Sequence, residues 1–350
     1  MSRIRKLYWF DKKNTEEMLS FLNNRTNDSY INKIMYNPFL LLHYFLPLRC
    51  KFLPESFVMK SYNEFKGLIT IAPTKTTQKM EIQKLFFKEN ALFEAAELVQ
   101  YAVSKYKAMG AFSIIVKVDD YMPELLTMLV SKCGFNQISY EKLWRITKFP
   151  NEPFDNNEFR SFKNSDAKAI TNIYNDSLLP HFRPLLGAEV REFKEKIFKG
   201  LSYYTEYKYV IEDKNSKAII GCVFIKTLDN ENFTIEILQT SWIELNINSI
   251  LNFAIKQIKK RKKRFGVFVK TKRYLTIGEK QEEIFKNNAF ECVQNQILLT
   301  NSSAKLLKDN ANSSRFVVLS DLISTKPLMT PWFYLLLIKL FTKRKSFCII

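Results

Sequence analysis

Apolar positions along the chain switch between the period of a strand and the period of a helix, and the clearest switch lies at Lys79–Val118. Met80–Phe87 mixes apolar and polar positions over a strand's length, with β-branched and aromatic content. Leu92, Ala95, Ala96, Val99, Val103 and Tyr106 then recur at helical spacing, and Asn90 is the expected N-cap. Gly110 closes that helix, and Phe112–Val118 reads as the next strand. A strand that turns into a helix N-terminus offers unpaired N–H groups and a positive dipole end, where a phosphate can sit.

The same order of elements occurs twice. Before the central stretch the pattern predicts a strand at Arg5–Trp9 and a helix capped by Asn14 or Thr15. An apolar helical stretch follows at Tyr30–Phe45, then a hairpin of Phe57–Lys60 and Phe65–Ala72. After it come a helix at Pro123–Lys132 and a closing strand or hairpin at Gln137–Thr147. Phe149–Asn157 is rich in Pro and Asn and reads as a linker. The second half predicts a strand at Phe159–Phe162 and helices starting after Asp166 and spanning Ala188–Lys199. A hairpin of Lys208–Glu212 and Ala218–Lys226 and a strand at Phe233–Gln239 come next. A helix at Ile247–Lys260, a strand at Gly266–Lys272, a helix at Glu279–Asn287 and strands within Phe290–Thr300 complete it. Four anchors keep register: Gly67 with Gly221, Glu81 with Glu236, Lys117 with Lys270, and Phe135 with Phe290, at offsets of 153 to 155. A tandem duplication is the reading, with boundaries at 1–148, 149–158, 159–300 and a C-terminal extension over 301–350.

Composition narrows the class. The chain has 350 residues, enough for two cores, and 46% are hydrophobic, which is a globular composition. The net charge is +19, from 54 Lys+Arg against 35 Asp+Glu, and favours anionic partners. The five cysteines are scattered without CxxC spacing, which points to a reducing, cytoplasmic setting and away from zinc or a disulfide framework. With two histidines, His43 and His181, a histidine-built metal centre is not expected. Cys348 stands third from the end, where a prenylation box needs it fourth.

The motifs EIQKLFF leading into a helix, GAFSIIVKV after it, and LLTMLVSKCGF followed by QISYEKLWRI resemble the GNAT superfamily of acyl-CoA-dependent N-acetyltransferases. EEIFKNNAFECVQNQILL stands in the matching place of the second half. The resemblance implies an α/β fold of two tandem domains. Each would be a mixed, mostly antiparallel sheet splayed at its middle and flanked by helices. It further implies acetyl-CoA as co-substrate and an amine, on a small molecule or a protein, as acceptor. Pantetheine would lie along Leu85, Phe86 and Phe87. Pyrophosphate would lie on the turn Asn90-Ala91-Leu92-Phe93-Glu94-Ala95, where the family usually reads Arg/Gln-x-x-Gly-x-Gly/Ala. Here Asn90, Phe93, Glu94 and Ala95 occupy that motif, and Ser241–Ser249 in the second half contains no glycine. The family's proton-donating Tyr is replaced by Val130 and Phe285. Glu81, Glu236 and Asp119 (or Asp120 beside it) are the candidate bases, and the first half is the expected active one.

Two features fall outside that resemblance. Lys259, Lys260, Arg261, Lys262, Lys263 and Arg264, with Lys256, Lys270, Lys272 and Arg273, place ten cations and no acid in one stretch. Such a stretch could bind nucleic acid, an acidic protein or a membrane surface, or could simply be a solvated helix end. A non-catalytic pseudo-acetyltransferase that binds an anionic partner there is the alternative function. Pro331–Phe341 is apolar but too short to span a bilayer. With the cations after it, residues 331–345 could lie in a membrane interface or pack as a helix.

Overall fold

The computed structural model describes residues 3–19, 54–61, 64–74, 78–88, 90–150, 152–155, 158–195, 205–227, 229–302 and 346–349. In the first half β1 (Arg3–Lys6) and α1 (Lys12–Met18) precede the hairpin β2 (Glu55–Ser61) and β3 (Glu64–Pro73). β4 (Lys79–Lys88), α2 (Leu92–Ala108), β5 (Ser113–Asp119), α3 (Pro123–Ser131) and β6 (Asn136–Arg145) follow. The second half opens with β7 (Phe159–Ser161) and α4 (Ala167–Ser177), then the single turns α5 (Arg183–Leu186) and α6 (Val190–Phe193). β8 (Thr205–Glu212), β9 (Ile219–Thr227), β10 (Asn232–Gln239), α7 (Ile247–Lys259), β11 (Gly266–Lys272), α8 (Gly278–Asn287) and β12 (Glu291–Ser302) complete it. A short strand, β13 (Ser346–Ile349), lies at the end of the chain.

Most expected elements are present, with corrections at helix starts. Asp11, not Asn14 or Thr15, precedes α1, and Ala91, not Asn90, precedes α2. Within the described residues the expected helix Ala188–Lys199 is reduced to α6. The stretches expected at Tyr30–Phe45 and Pro331–Phe341 lie outside the described residues. The duplication extends to side chains. Arg5 grips Asp11 with two hydrogen bonds of 2.7 and 2.6 Å, and the Tyr8 amide donates to the same carboxylate. Arg160 grips Asp166 at 2.7 and 3.0 Å, and the Lys163 amide donates to it. The two clasps are 155 residues apart at each position.

The strands form one continuous sheet in the order β1-β2-β3-β4-β5-β12-β6-β11-β10-β9-β8-β7, with β13 attached to β4. The halves exchange their last strands. β12 runs antiparallel to β5, from Gln296 opposite Asp119 to Ser302 opposite Ser113. β6 runs antiparallel to β11, from Arg145 opposite Phe268 to Glu141 opposite Lys272. β6 and β12 pair with each other at the centre, where Glu141 lies opposite Gln296. The exchange carries core residues with it. Ile297 and Leu299 of β12 are buried in the first core, among Leu98, Val116 and Phe135. Trp144 of β6 is buried in the second core, among Val269, Phe285 and Phe290. The Trp144 indole also donates to the Thr271 hydroxyl at 3.0 Å.

Neither half closes its own sheet, so neither can bury its own core alone. A fragment of residues 1–148 is expected to lack cooperative unfolding and a native near-ultraviolet circular dichroism spectrum. Co-expression with residues 149–350 should restore both. A cooperatively folded 1–148 fragment would contradict the exchange as a requirement for folding.

Candidate functional site

Each half contains one pair of parallel strands that part midway. β4 pairs with β5 from Lys79–Ser113 to Ile82–Val116, and β10 pairs with β11 from Asn232–Gly266 to Glu236–Lys270. In the first half the parting has a visible cause. On its β3 side, β4 pairs Ile82 with Ile71 and then Lys84 with Thr70, leaving Gln83 as an extra residue. A bulge of this kind bends the strand and increases its twist, so β4 turns away from β5 after Ile82. β10 pairs with β9 without a register shift, so the second half has no such bulge.

The β4 edge released by the bulge is not bare. β13 pairs with it antiparallel, Ser346 opposite Lys88, Phe347 opposite Phe87, Cys348 opposite Phe86 and Ile349 opposite Leu85. The side chains of Leu85, Phe86 and Phe87 are buried. Leu85 and Phe87 enter the core under α2, and Phe86 joins Leu19, Val58 and Leu68 on the other face. The expected pantetheine-binding trio is therefore adjacent, on one edge, and that edge accepts an extended backbone.

The two turns that follow the parted strands differ. Ala91, the N-cap of α2, has no side chain that caps the helix. Asn90 is exposed, and Ala95 is fully buried. Phe93 is 62% exposed and points outward, with the Lys132 ammonium 5.4 Å from its ring centre. It lines the rim of the turn and does not fill it. Glu94 is half-buried in the first turn of the helix. At α7, by contrast, Asn246 caps the helix by accepting from the Asn248 and Ser249 amides at 3.0 and 3.2 Å. The Glu152 carboxylate of the linker accepts from Asn246 and Asn248 at 2.5 and 3.0 Å. These hydrogen bonds hold its pKa down. The second helix N-terminus is thus supplied with an anion from its own chain.

The candidate bases Glu81 and Glu236 belong to a row of charges that crosses one face of the sheet. Lys117 on β5 lies 3.4 Å from Glu81 and 3.3 Å from Glu141. Lys270 lies 3.4 Å from the same Glu141, whose other oxygen accepts from the Tyr274 hydroxyl at 2.7 Å. Glu236 is paired with Lys226 at 2.8 Å and Lys272 at 2.9 Å. Glu141 is 1% exposed. Burial pushes its pKa up, but Lys117, Lys270 and Lys272 outweigh burial and hold it well below the carboxylate range. Glu236 is likewise held ionised, burial being outweighed by Lys226, Lys272 and Lys270. Burial also opposes the charge on Lys117, but Glu141 and Glu81 together keep it protonated. For Lys270 burial wins, and its pKa is pushed down.

These contacts separate the candidates. Glu81 is half-buried at the mouth of the first parting and among the described residues has one ion-pair partner, Lys117. Glu236 has two close lysines and is a counter-ion. Asp119 is buried and accepts from Gln294 at 2.7 Å, while Asp120 accepts from Asn295 at 2.8 Å. Both aspartates fasten β12 to the first half. Val130 is exposed on α3, and Phe285 is buried against Trp144 at 6.3 Å between ring centres. The basic stretch is split: Lys270 and Lys272 join the charge row and Arg273 pairs with Glu282 at 3.1 Å. Lys259–Arg264 stay exposed at the C-terminal end of α7. There Arg261 lies over Tyr207 and Lys259 over Phe149. Glu141, the hub of the row, was not among the sequence candidates. Its counterpart at an offset of 155 is Gln296, so a carboxylate at only one of two duplicated positions was the available signal.

A cavity of about 200 Å³ lies beside the row in the second half, lined by Tyr174, Lys226, Glu236, Lys272 and Gln281. Gln281 presents a buried side-chain amide nitrogen without a hydrogen-bond partner among the described residues. Among the described residues no group of three His, Cys, Asp or Glu side chains could hold a metal ion. Nor is any described helix long and apolar enough to cross a membrane.

Paired halves, each with a bulged or parted parallel pair and a helix rising from its end, define the acetyltransferase fold in tandem. Solved structures agree. The chain is similar to a tandem GNAT protein from the clavulanic acid biosynthesis pathway, at 10% identity and a TM-score of 0.57. That match covers 87% of this chain and 99% of the other. It is also similar to a GCN5-related N-acetyltransferase from Sphaerobacter thermophilus, at 10% identity and a TM-score of 0.55, over 86% and 95% of the two chains. No family model and no curated protein sequence matches. The chain has the tandem GNAT fold.

Glu141 carries the electrostatics of this face, and losing one partner of a buried charge cluster typically costs about 3–5 kcal/mol. Glu141→Gln is expected to lower the unfolding free energy by that order, read from urea unfolding. The carboxyl's folded pKa lies below its ordinary value of 4.5. Its contribution is therefore complete above that value and lost as pH falls towards the folded one. The variant's stability should accordingly fall less steeply than the parent's below about pH 4.5.

Proposed function

We propose that the first half transfers an acyl group from acyl-CoA to an amine and that the second half serves as its scaffold. One observation carries this reading: beyond Ile82 the bulged β4 offers Leu85–Lys88 as an edge that takes an extended chain, ending at a helix whose N-cap, Ala91, has no capping side chain. Pantetheine is an extended chain with amide groups, and it would replace strand pairing along Leu85, Phe86 and Phe87. The pyrophosphate would meet the amides of the Asn90–Ala95 turn, where the dipole of α2 favours an anion. Phe93 leaves that backbone open because its ring faces solvent. Acetyl-CoA is the acyl donor that the fold's solved members suggest.

Glu81 is the proposed base. It stands where β4 and β5 part, next to the place where the acyl group of a ligand on this edge would end. The amine nitrogen bonds to the acyl carbon, the carbon–sulfur bond breaks, and Glu81 takes the proton the amine loses. Lys117 lies 3.4 Å from Glu81 and places a positive charge beside it. Asp119 and Glu236 have structural partners and no part in this step. The acceptor is an amine of a small molecule or a protein. The free thiols Cys133, Cys222 and Cys292 suit a reducing compartment such as the cytoplasm.

Release of CoA thiol from millimolar acetyl-CoA, with a panel of primary amines, tests the assignment. Glu81→Gln should lower kcat by roughly 10²–10⁴-fold, the usual worth of a general base, with little change in CoA affinity. Undiminished turnover in that variant would remove Glu81 from the mechanism. Absence of thiol release with every amine would count against the activity itself.

A further inference from the structure

We propose that the last strand of the chain, β13, is an intramolecular competitor of the acyl-CoA ligand and keeps the first half closed until it is displaced. The inference rests on the acyl-CoA reading of the β4 edge. β13 pairs with Leu85, Phe86, Phe87 and Lys88, the residues released from β5 by the Gln83 bulge. A strand has two edges, and β3 holds the other one along Leu85, Phe86 and Phe87. An extended ligand and β13 therefore claim the same backbone donors and acceptors, and only one can have them.

Direction strengthens the case. β13 is antiparallel to β4, so it enters opposite Lys88, near the turn before α2, and ends opposite Leu85. It advances from the expected pyrophosphate end towards Glu81, along the path proposed for pantetheine. The segment is built for strand pairing and for release. Ser346-Phe347-Cys348-Ile349 has no charge and mixes aromatic and β-branched residues, while Lys343-Arg344-Lys345 precedes it. Among the described strands β13 pairs with β4 alone. A four-residue strand paired on one side is a weakly held element. It lies off the main strand order, so its departure breaks no pairing between the other strands.

The affinity that CoA shows is reduced by the fraction of time the edge is free. If β13 is away about one-tenth of the time, apparent affinity falls about tenfold. Three proteins test this: the full chain, a chain ending at Lys345, and the full chain carrying Phe347→Pro with Cys348→Pro. Alternate residues of an antiparallel strand donate to the partner, so two adjacent prolines remove a donor whichever residue supplies it. Calorimetric titration with CoA should show at least about tenfold tighter binding to the shortened and proline chains than to the full chain. Adding the free peptide Ser346–Ile350 should weaken binding to the shortened chain again. Hydrogen exchange should accelerate at those amides of Leu85–Lys88 that face the parting, in both altered proteins. Equal CoA affinity in all three proteins overturns the competition and leaves the acyl-CoA reading intact. Unchanged exchange at Leu85–Lys88 overturns the strand's hold on the edge. Failure of CoA to bind any of the three overturns the acyl-CoA reading, and the competition with it.

Discussion

The carboxylate of Glu141 is the point on which the two halves balance. Lys117 and Lys270 are duplicates of one another, and each reaches for this one oxygen-bearing group, at 3.3 and 3.4 Å. A buried carboxylate is costly unless its charge and lone pairs are met. Here they are met by β5 of the first half, by β11 of the second and by the Tyr274 hydroxyl. Each of these partners would be lost if β6 slipped by one residue, because every side chain of the strand would change face. Buried ion pairs contribute little net stability, but breaking one is expensive. The cluster therefore selects the register of the exchanged strands more than it holds them together. Apolar burial does the holding, through Ile297 and Leu299 in one core and Trp144 in the other.

Two copies of one plan differ by small changes. The Arg–Asp clasp at Arg5–Asp11 and Arg160–Asp166 is the same in both. The parted strands are not. An extra residue at Gln83 bends β4 in the first half, while β10 stays in register with β9 throughout. The helix after β4 begins at a small residue, Ala91, that cannot cap it. The helix after β10 is capped by Asn246 and neighboured by Glu152. A negative ligand would find an open dipole end at the first and a carboxylate at the second. This asymmetry favours the first half as the ligand-binding one on electrostatic grounds alone.

Much of the architecture was legible because it is periodic. Leu92 to Tyr106 at helical spacing and the paired strand runs at offsets of 153 to 155 specify elements and their order. Cap residues were harder to place, since Asn90 and Thr15 have the right chemistry and the chain used Ala91 and Asp11. The strand exchange was not legible. The apolar faces of β6 and β12 would serve either half equally well, and a pattern of burial does not say whose core receives it. Candidate bases could be named by position, but their partners come from other strands. Glu236 is flanked by Lys226 and Lys272, and Asp119 accepts a hydrogen bond from Gln294. The terminal strand went unrecognised because Ser346–Ile349 is short and its partner lies some 260 residues away.

That terminal strand follows from what a parted sheet demands. Where β4 leaves β5, the donors and acceptors of Leu85–Lys88 that face β5 no longer pair with that strand, while the side chains of Leu85, Phe86 and Phe87 stay buried. Backbone groups among buried side chains need partners, because an unmet one costs free energy comparable to a lost hydrogen bond. A ligand with regularly spaced amides can meet them only while it is bound. Between binding events something else must, and water or a peptide strand are the available substitutes. A segment of the same chain is present at a high effective concentration and so has the advantage over any free peptide. On the proposed acyl-CoA reading, its pairing must still be short enough to lose to a ligand that adds charge at the helix N-terminus. Four residues paired on one edge, without a helix dipole to reward them, meet both conditions.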